Sequence, residues 1–204
     1  MHPHPPSMNL TTDLSRPLCA ASAGRRLQLG GVSVTLDRGH VAVIDWPDAA
    51  RQAAQLSALC QSATPVVRYA SGKLIEDLSL QDNLMLEPSL LDGRLPLLML
   101  PEIESLFAYT DCPPDWSAWA DTWPGSATRQ ALMQVCVGRA LVADPDLLVM
   151  DAAHWDDGLL QPFDFSQRFI NQYPWRTLVW ATHDASRADE LREMLQDYLK
   201  LASS

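Results

Sequence analysis

Asp151 is the residue of this sequence best placed to hold a metal ion. It directly follows the short apolar run Leu147 to Met150, and a breaker around Pro145 separates that run from a helical stretch ending near Ala143. A short, continuously apolar run bounded by a turn indicates a strand that is buried on both faces of a parallel sheet. Because ligands of open α/β sheets bind beyond the carboxyl ends of such strands, we expect Asp151 at a ligand-binding edge.

A second stretch with chemical potential is the turn Asp45-Trp46-Pro47-Asp48-Ala49-Ala50-Arg51-Gln52. It follows a predicted buried strand, Val41 to Ile44, and leads into a predicted helix that runs to Cys60. A helix N-terminus attracts anions, so Asp45 and Asp48 can fill such a site from within. An entering phosphate would then meet like charge, at a cost of about 4 kcal/mol for a ~4 Å pair in an effective dielectric near 20. The alternative is ordinary helix capping, with Pro47 in the first turn.

These stretches resemble segments of ABC-transporter ATP-binding subunits. Gly138 to Asp151 is similar to the segment that follows the signature motif and ends in the Mg²⁺-holding Walker B aspartate. Thr177 to Asp184 is similar to the switch strand with its histidine, here His183. The resemblance covers residues 26 to about 200. It implies an α/β, P-loop NTPase-like fold: a mixed sheet core flanked by helices, with a helical subdomain and an antiparallel edge.

The turn at residues 45–52 lies where this family carries its P-loop, GxxxxGK[ST], but it departs from that pattern throughout. In register, the two glycines become Asp45 and Ala50, the lysine becomes Arg51, and the Mg²⁺-binding hydroxyl residue becomes Gln52. The glycines let backbone N–H groups wrap the phosphates, and a Cβ intrudes on that space. The planar guanidinium of arginine does not replace a compact ammonium. The sequence therefore predicts a degenerate P-loop with no phosphate cradle.

The remaining motifs of the family are also altered. The Q-loop glutamine falls on Ala70, and the signature glycines fall on Ala127 to Gln130, where only the hydroxyl of Thr128 is kept. An alternative register with a gap uses Pro124 to Ser126. The catalytic glutamate becomes Ala152, which excludes general-base catalysis from that position.

Asp151 and His183 are thus the key polar positions of the family pattern that this sequence keeps. If the protein binds a metal ion, Asp151 is the expected ligand. An ordinary structural role for each is the alternative.

Two stretches point to a partner. Ser71 to Leu84 looks most like the ATPase subunit of Mla-type lipid transporters, which implies a lipid-transport setting at the cytoplasmic face of the inner membrane. Residues 85 to about 135 are expected to form the helical subdomain. The part rich in Leu, Pro and Trp, up to about residue 125, is either a small local core or a docking surface for another subunit.

Composition sets further limits. A chain of 204 residues is most simply one domain, which we place at 26–204 behind a flexible tail at 1–25. The net charge of −10 disfavours nucleic acid as a partner. No apolar run approaches the ~18–20 residues that cross a bilayer, and the N-terminus does not read as a secretory signal. The four scattered cysteines read as reduced cytosolic thiols.

The leading hypothesis is a pseudo-ATPase that needs no cofactor and serves as a structural or regulatory subunit beside a membrane permease. In this family each ATP lies between the P-loop of one subunit and the signature motif of the other, and both elements are altered in this sequence. A homodimer is therefore favoured over a pair with an intact paralogue. One alternative is a divergent but active ABC ATPase that uses ATP and Mg²⁺, with Arg51 holding phosphate and His183 positioning water. Another is a soluble regulator built on the same fold.

Overall fold

The structure is a computed structural model. It describes residues 25–29, 32–36, 39–61, 67–70, 74–86, 101, 103–108, 114–142, 145–152 and 161–196. Six strands lie within these ranges: β1 Arg25–Leu29, β2 Val32–Leu36, β3 Val41–Asp45, β4 Val67–Ala70, β5 Leu147–Asp151 and β6 Thr177–Thr182.

The helices with defined bounds are α1 Ala49–Gln61, α2 Leu80–Leu84, α3 Trp116–Trp119, α4 Arg129–Val142, α5 Pro162–Gln172 and α6 Ala185–Met194. A single 3-10 turn, Pro124–Ser126, precedes α4. Residues 103–106 are also helical.

Four parallel strands form the central sheet, in the order β3-β6-β5-β4. Val41 pairs with Leu178 across β3 and β6, and Leu147 pairs with Thr177 across β5 and β6. The hairpin β1-β2 forms a separate two-stranded antiparallel sheet. The last strand in the chain therefore lies between the strands that carry Asp45 and Asp151.

Every residue of β5 and β6 is buried. Since successive side chains of a strand point to opposite faces, both faces of this sheet are covered. Ile44, Val149 and Val179 pack beneath Leu56 of α1 on one face. On the other face, Met150 and Trp180 share a larger cluster with Phe165 of α5. The indole Nε1 of Trp180 donates to Ser166 Oγ at 3.0 Å, which satisfies the polar atom of a fully buried ring.

The helical residues between β4 and β5 belong to this larger cluster. α4 crosses α2 at close range, because a Cβ at Gly138 would stand 2.7 Å from Leu84 Cδ1. Ile103 and Phe107 are buried against the same cluster, and Ser105 Oγ contacts Gln172 Oε1 of α5 at 2.9 Å. This helical region is thereby fixed to the core that carries the sheet edge.

The predicted α/β fold class is confirmed, with helices on both faces of an open sheet. The run predicted to be helical from about residue 127 begins at Arg129. The helix α5 was not anticipated from the sequence.

Several predictions fall on residues outside the described ranges: the tail up to residue 24, Ser71 to Lys73, much of the region from 87 to 113, and the chain beyond residue 196.

Candidate functional site

The carboxyl ends of β3, β6 and β5 meet at one edge of the sheet, where an open parallel sheet binds its ligands. Asp45 lies opposite Thr182, the residue before His183, and Asp151 lies opposite Ala181. Asp151 and His183 therefore stand at the ends of adjacent strands, and the turn at residues 45–52 lies beside them.

Asp48 caps the N-terminus of α1. Its Oδ1 accepts the N–H of Arg51 at 2.7 Å, and its backbone carbonyl accepts the N–H of Gln52 at 3.1 Å. The Arg51 guanidinium turns back to the same carboxylate, with Nε 3.7 Å from Oδ2. Both side chains are largely in water, 70% exposed for Arg51 and 51% for Asp48, so this ion pair contributes little to stability. One backbone N–H of the first turn, that of Arg51, is thus satisfied by the Asp48 cap, and Ala50 lies exposed beside it.

Asp45 lies away from this cap. Trp46 continues the alternation of Ala42 and Ile44 and packs with them on the α1 face, whereas Asp45 follows Val41 and Val43, which pack on the opposite face. The expectation that Asp45 and Asp48 together occupy the helix N-terminus is therefore met by Asp48 only.

The Trp46 side chain is buried, with the residue 1% exposed, and its backbone N–H donates to the Thr182 carbonyl at 2.9 Å. A bulky indole thus fills the space under the start of α1, at a position that follows the first glycine in the P-loop pattern.

Gln52 and His183 join α1 to the end of β6. The Gln52 Oε1 and His183 Nδ1 atoms are 2.7 Å apart, and Gln52 is only 4% exposed. An amide oxygen only accepts hydrogen bonds, so Nδ1 carries the proton in this arrangement and Nε2 faces away from Gln52. Gln52 therefore joins the first turn of α1 directly to His183, the residue after β6.

The helix that follows β6 is also capped at its N-terminus by an aspartate. Asp184 Oδ1 accepts the N–H groups of Ser186 at 2.9 Å and Arg187 at 3.3 Å, which caps α6. The Thr182 hydroxyl accepts the Asp184 N–H at 3.1 Å and fixes the turn between strand and helix. Two helix N-termini thus face this sheet edge, and each is capped by a carboxylate of the chain itself.

Asp151 is 8% exposed at the end of β5, and Ala152 behind it is 1% exposed. The carboxylate is therefore set into the edge rather than projecting from it, and a methyl group occupies the next position. Within the described ranges, no cluster of three or more His, Cys, Asp or Glu side chains with metal-site geometry occurs. The assignment of Asp151 as a metal ligand stays a prediction.

The predicted signature position is an ordinary helix start. Thr128 Oγ1 accepts the N–H of Ala131 at 3.2 Å and caps α4. Gly125, in the turn of the alternative register, has no atom within 4 Å of an added Cβ, so a side chain fits there. Ala70, at the Q-loop position, ends β4.

Neither the contact between Gln52 and His183 nor the Asp184 cap was predicted from the sequence. The contact joins residues 131 positions apart, which no local pattern connects. The cap had a local signal, because an aspartate directly before a helical run is a typical N-cap.

Comparison with solved structures identifies the fold. The chain is similar to the ATP-binding subunit of an ABC transporter, with a TM-score of 0.54 and 17% identity over 78% of this chain and 75% of that one. It is similar to a nucleotide-free ATP-binding cassette from an ABC transporter, with a TM-score of 0.52 and 16% identity over 82% and 77% of the two chains. It is also similar to a bacterial ABC transporter cassette whose structure is dimeric, with a TM-score of 0.53 and 16% identity over 78% and 81%.

The sequence matches no family model and no curated protein. The similarity to these solved structures shows that the protein has the fold of an ABC-transporter ATP-binding cassette, as the resemblance of its sequence implied. In the described part of the chain, none of the helices combines the length and the apolar character required to cross a bilayer.

Proposed function

We propose that this protein is a pseudo-ATPase with an ABC-cassette fold, and that it serves as a structural or regulatory subunit of a membrane transport complex. One observation carries the proposal: side chains of the chain itself close the place where a nucleotide would bind. Asp48 caps α1, and the Gln52 amide reaches His183 across the edge at 2.7 Å.

The residues present do not suit a nucleotide phosphate bound to Mg²⁺. A phosphate at the start of α1 would displace or face the Asp48 carboxylate. Because that carboxylate is 51% exposed, solvent screens the repulsion below the roughly 4 kcal/mol of a ~4 Å pair in an effective dielectric near 20. A phosphate would also meet the Cβ of Ala50. Mg²⁺ prefers oxygen ligands in octahedral geometry, whereas the Gln52 amide oxygen is already bonded to His183.

The position after Asp151 carries no catalytic base, because Ala152 is buried and its side chain has no acceptor. The observation that favours the alternative, an active ATPase, is that Asp151 and His183 follow adjacent strands. Turnover that falls with Asp151→Asn and with His183→Ala would support that alternative.

The partner we propose is the permease subunit of an ABC-type transporter at the cytoplasmic face of the membrane. Support comes from the fold, which the chain shares with ATP-binding subunits and cassettes of such transporters. A homodimer is the second arrangement, supported by the likeness to a dimeric cassette. The lipid-transport setting rests on the resemblance of residues 71–84 to Mla-type subunits and stays a prediction.

Calorimetric titration of the purified protein with Mg-ATP tests the proposal. The wild-type protein should give no binding heat at millimolar ATP and no phosphate release. The matched variant Asp48→Asn keeps an acceptor for the Arg51 N–H and removes the charge, so it should bind at most weakly. Circular dichroism of both proteins establishes that they are equally folded.

Binding of Mg-ATP by the wild-type protein at micromolar concentration would refute the proposal. The turnover assays with Asp151→Asn and His183→Ala would then decide between hydrolysis and nucleotide binding without chemistry.

A further inference from the structure

The hydrogen bond between Gln52 and His183 joins a buried side chain to an exposed one. Gln52 is 4% exposed, and its Oε1 lies 2.7 Å from Nδ1 of His183, which is exposed to solvent. If the two side chains separated, water would satisfy the imidazole. The buried amide oxygen would lose its donor without such a replacement, and an unsatisfied buried acceptor is costly. The desolvated amide of Gln52 therefore favours the joined arrangement.

Backbone hydrogen bonds connect the same two segments of the chain. The backbone N–H of Trp46, directly after β3, donates to the Thr182 carbonyl at 2.9 Å. The hydroxyl of Thr182, which is 2% exposed, accepts the N–H of Asp184 at 3.1 Å. The end of β3, the start of α1, the end of β6 and the start of α6 thus belong to one hydrogen-bonded unit. Gln52 and His183 supply its bond between two side chains.

Close packing holds this unit as well. The Trp46 side chain shares a buried cluster with Leu56 of α1 and with Ala181 of β6. Protein interiors are close-packed, so a large ring between a helix and a strand resists a shift of one against the other. The start of α1 is therefore held against β6 by packing and by hydrogen bonds together.

We propose that the Gln52–His183 bond is a conformational latch, which keeps the starts of α1 and α6 in one fixed arrangement whether or not a nucleotide is present. The inference rests on the proposed function, because it describes how a subunit without a working nucleotide site holds its shape. A ligand shifts a conformational equilibrium only through different affinities for two states. A chain latched in one state therefore presents the same surface to its partner at every nucleotide concentration.

Amide hydrogen exchange of the full chain, followed by NMR, tests the latch. Gln52→Ala and His183→Ala should each accelerate the exchange of the Trp46 and Asp184 amides about tenfold, because each removes a bond that stabilises the closed unit. Both substitutions remove the same bond. The double variant should therefore accelerate exchange by far less than the product of the two single effects.

Gln55→Ala is the matched control, because Gln55 is a partly buried glutamine of the same helix. It should leave the exchange of the Trp46 and Asp184 amides within about twofold of the wild-type rate.

The position of the proton on the His183 ring supplies a second readout. Nitrogen NMR at about pH 9, where histidine rings are ordinarily neutral, distinguishes a proton on Nδ1 from one on Nε2. The proton should lie on Nδ1 in the wild-type protein and in Gln55→Ala, and should redistribute toward Nε2 in Gln52→Ala. A role of Gln52 in packing alone would not move this proton.

Four results would overturn the latch. They are single effects that multiply in the double variant, a wild-type ring protonated on Nε2, equal acceleration by Gln55→Ala and Gln52→Ala, and changed exchange of the Trp46 or Asp184 amide when millimolar Mg-ATP is added to the wild-type protein. The comparison of single and double variants involves no nucleotide, so its failure leaves the pseudo-ATPase untouched. Conversely, calorimetric binding of ATP with unchanged exchange would refute the pseudo-ATPase and leave the latch standing.

Discussion

Replacing Asn83 with alanine should destabilise the turn that leads into α2. Asn83 is fully buried, and its side-chain amide lies within hydrogen-bonding distance of four backbone groups. Its Oδ1 accepts the Ile75 N–H at 2.7 Å, while Nδ2 lies 2.9, 3.1 and 3.0 Å from the carbonyl oxygens of Ile75, Leu78 and Ser79. One amide thus holds the whole turn that leads into the helix.

The expected loss of stability depends on which backbone groups keep a hydrogen-bond partner when the Asn83 amide is removed. Without the amide, the Ile75 carbonyl still accepts the Leu78 N–H at 3.2 Å, and the Ser79 carbonyl still accepts the backbone N–H of residue 83 at 2.9 Å. The Ile75 N–H and the Leu78 carbonyl lose the bond that the amide supplied. Each buried polar group left unsatisfied costs about 1–3 kcal/mol, and water reaches part of this turn. We therefore expect a loss of about 3 kcal/mol for Asn83→Ala.

Urea denaturation followed by circular dichroism measures this loss, and thermal unfolding should show a fall of roughly 6–12 °C for a domain of this size. Gln81→Ala is the matched control, because Gln81 lies in the same helix and is only partly buried. It should change stability by at most about 0.5 kcal/mol. Amide exchange at Ile75 should accelerate in the Asn83 variant. A loss below about 1 kcal/mol would refute the role assigned to the amide.

Two further predictions concern residues of α4, Gly138 and Cys136. Gly138→Ala places a Cβ 2.7 Å from Leu84 Cδ1 and should cost about 1–3 kcal/mol in urea denaturation, whereas Gly125→Ala, with open space around it, should be nearly neutral. Equal effects would contradict this account of close packing. Burial raises the pKa of the Cys136 thiol to about 11, from 9.0. The unfolded chain therefore ionises this thiol first, so stability should fall as pH rises from about 9 to 11, by up to about 3 kcal/mol. Cys136→Ala should remove that part of the slope, and an unchanged slope would contradict it.

The sheet was predictable from the sequence because its strands are buried on both faces. β5 and β6 are short, their apolar runs are Leu147 to Met150 and Leu178 to Ala181, and all of their residues are buried. α5 escaped prediction because aromatic residues replace the usual strong helix formers. Its signals were Pro162 at the first position and Phe165 and Phe169 one turn apart.

The candidate site was predictable only in part. Motif register located the turn at residues 45–52, and strand alternation would have separated Asp45 from Trp46 and Asp48. The bond between Gln52 and His183 exists only because β3 and β6 become neighbours. Local propensity carries no information about which strands pair, so that contact required the structure.

The position of β6 has a consequence for the synthesis of the protein. Of the strands in the described part of the chain, β6 is synthesised last, yet β3 pairs with it, and Val41 lies opposite Leu178. At typical translation rates, β3 waits on the order of ten seconds for its partner to emerge from the ribosome. A chain stalled before residue 177 would hold β4 and β5 together while β3 and one side of β5 stay unpaired. Open strand edges promote association between chains, so nascent copies of this protein depend on prompt completion or on chaperones.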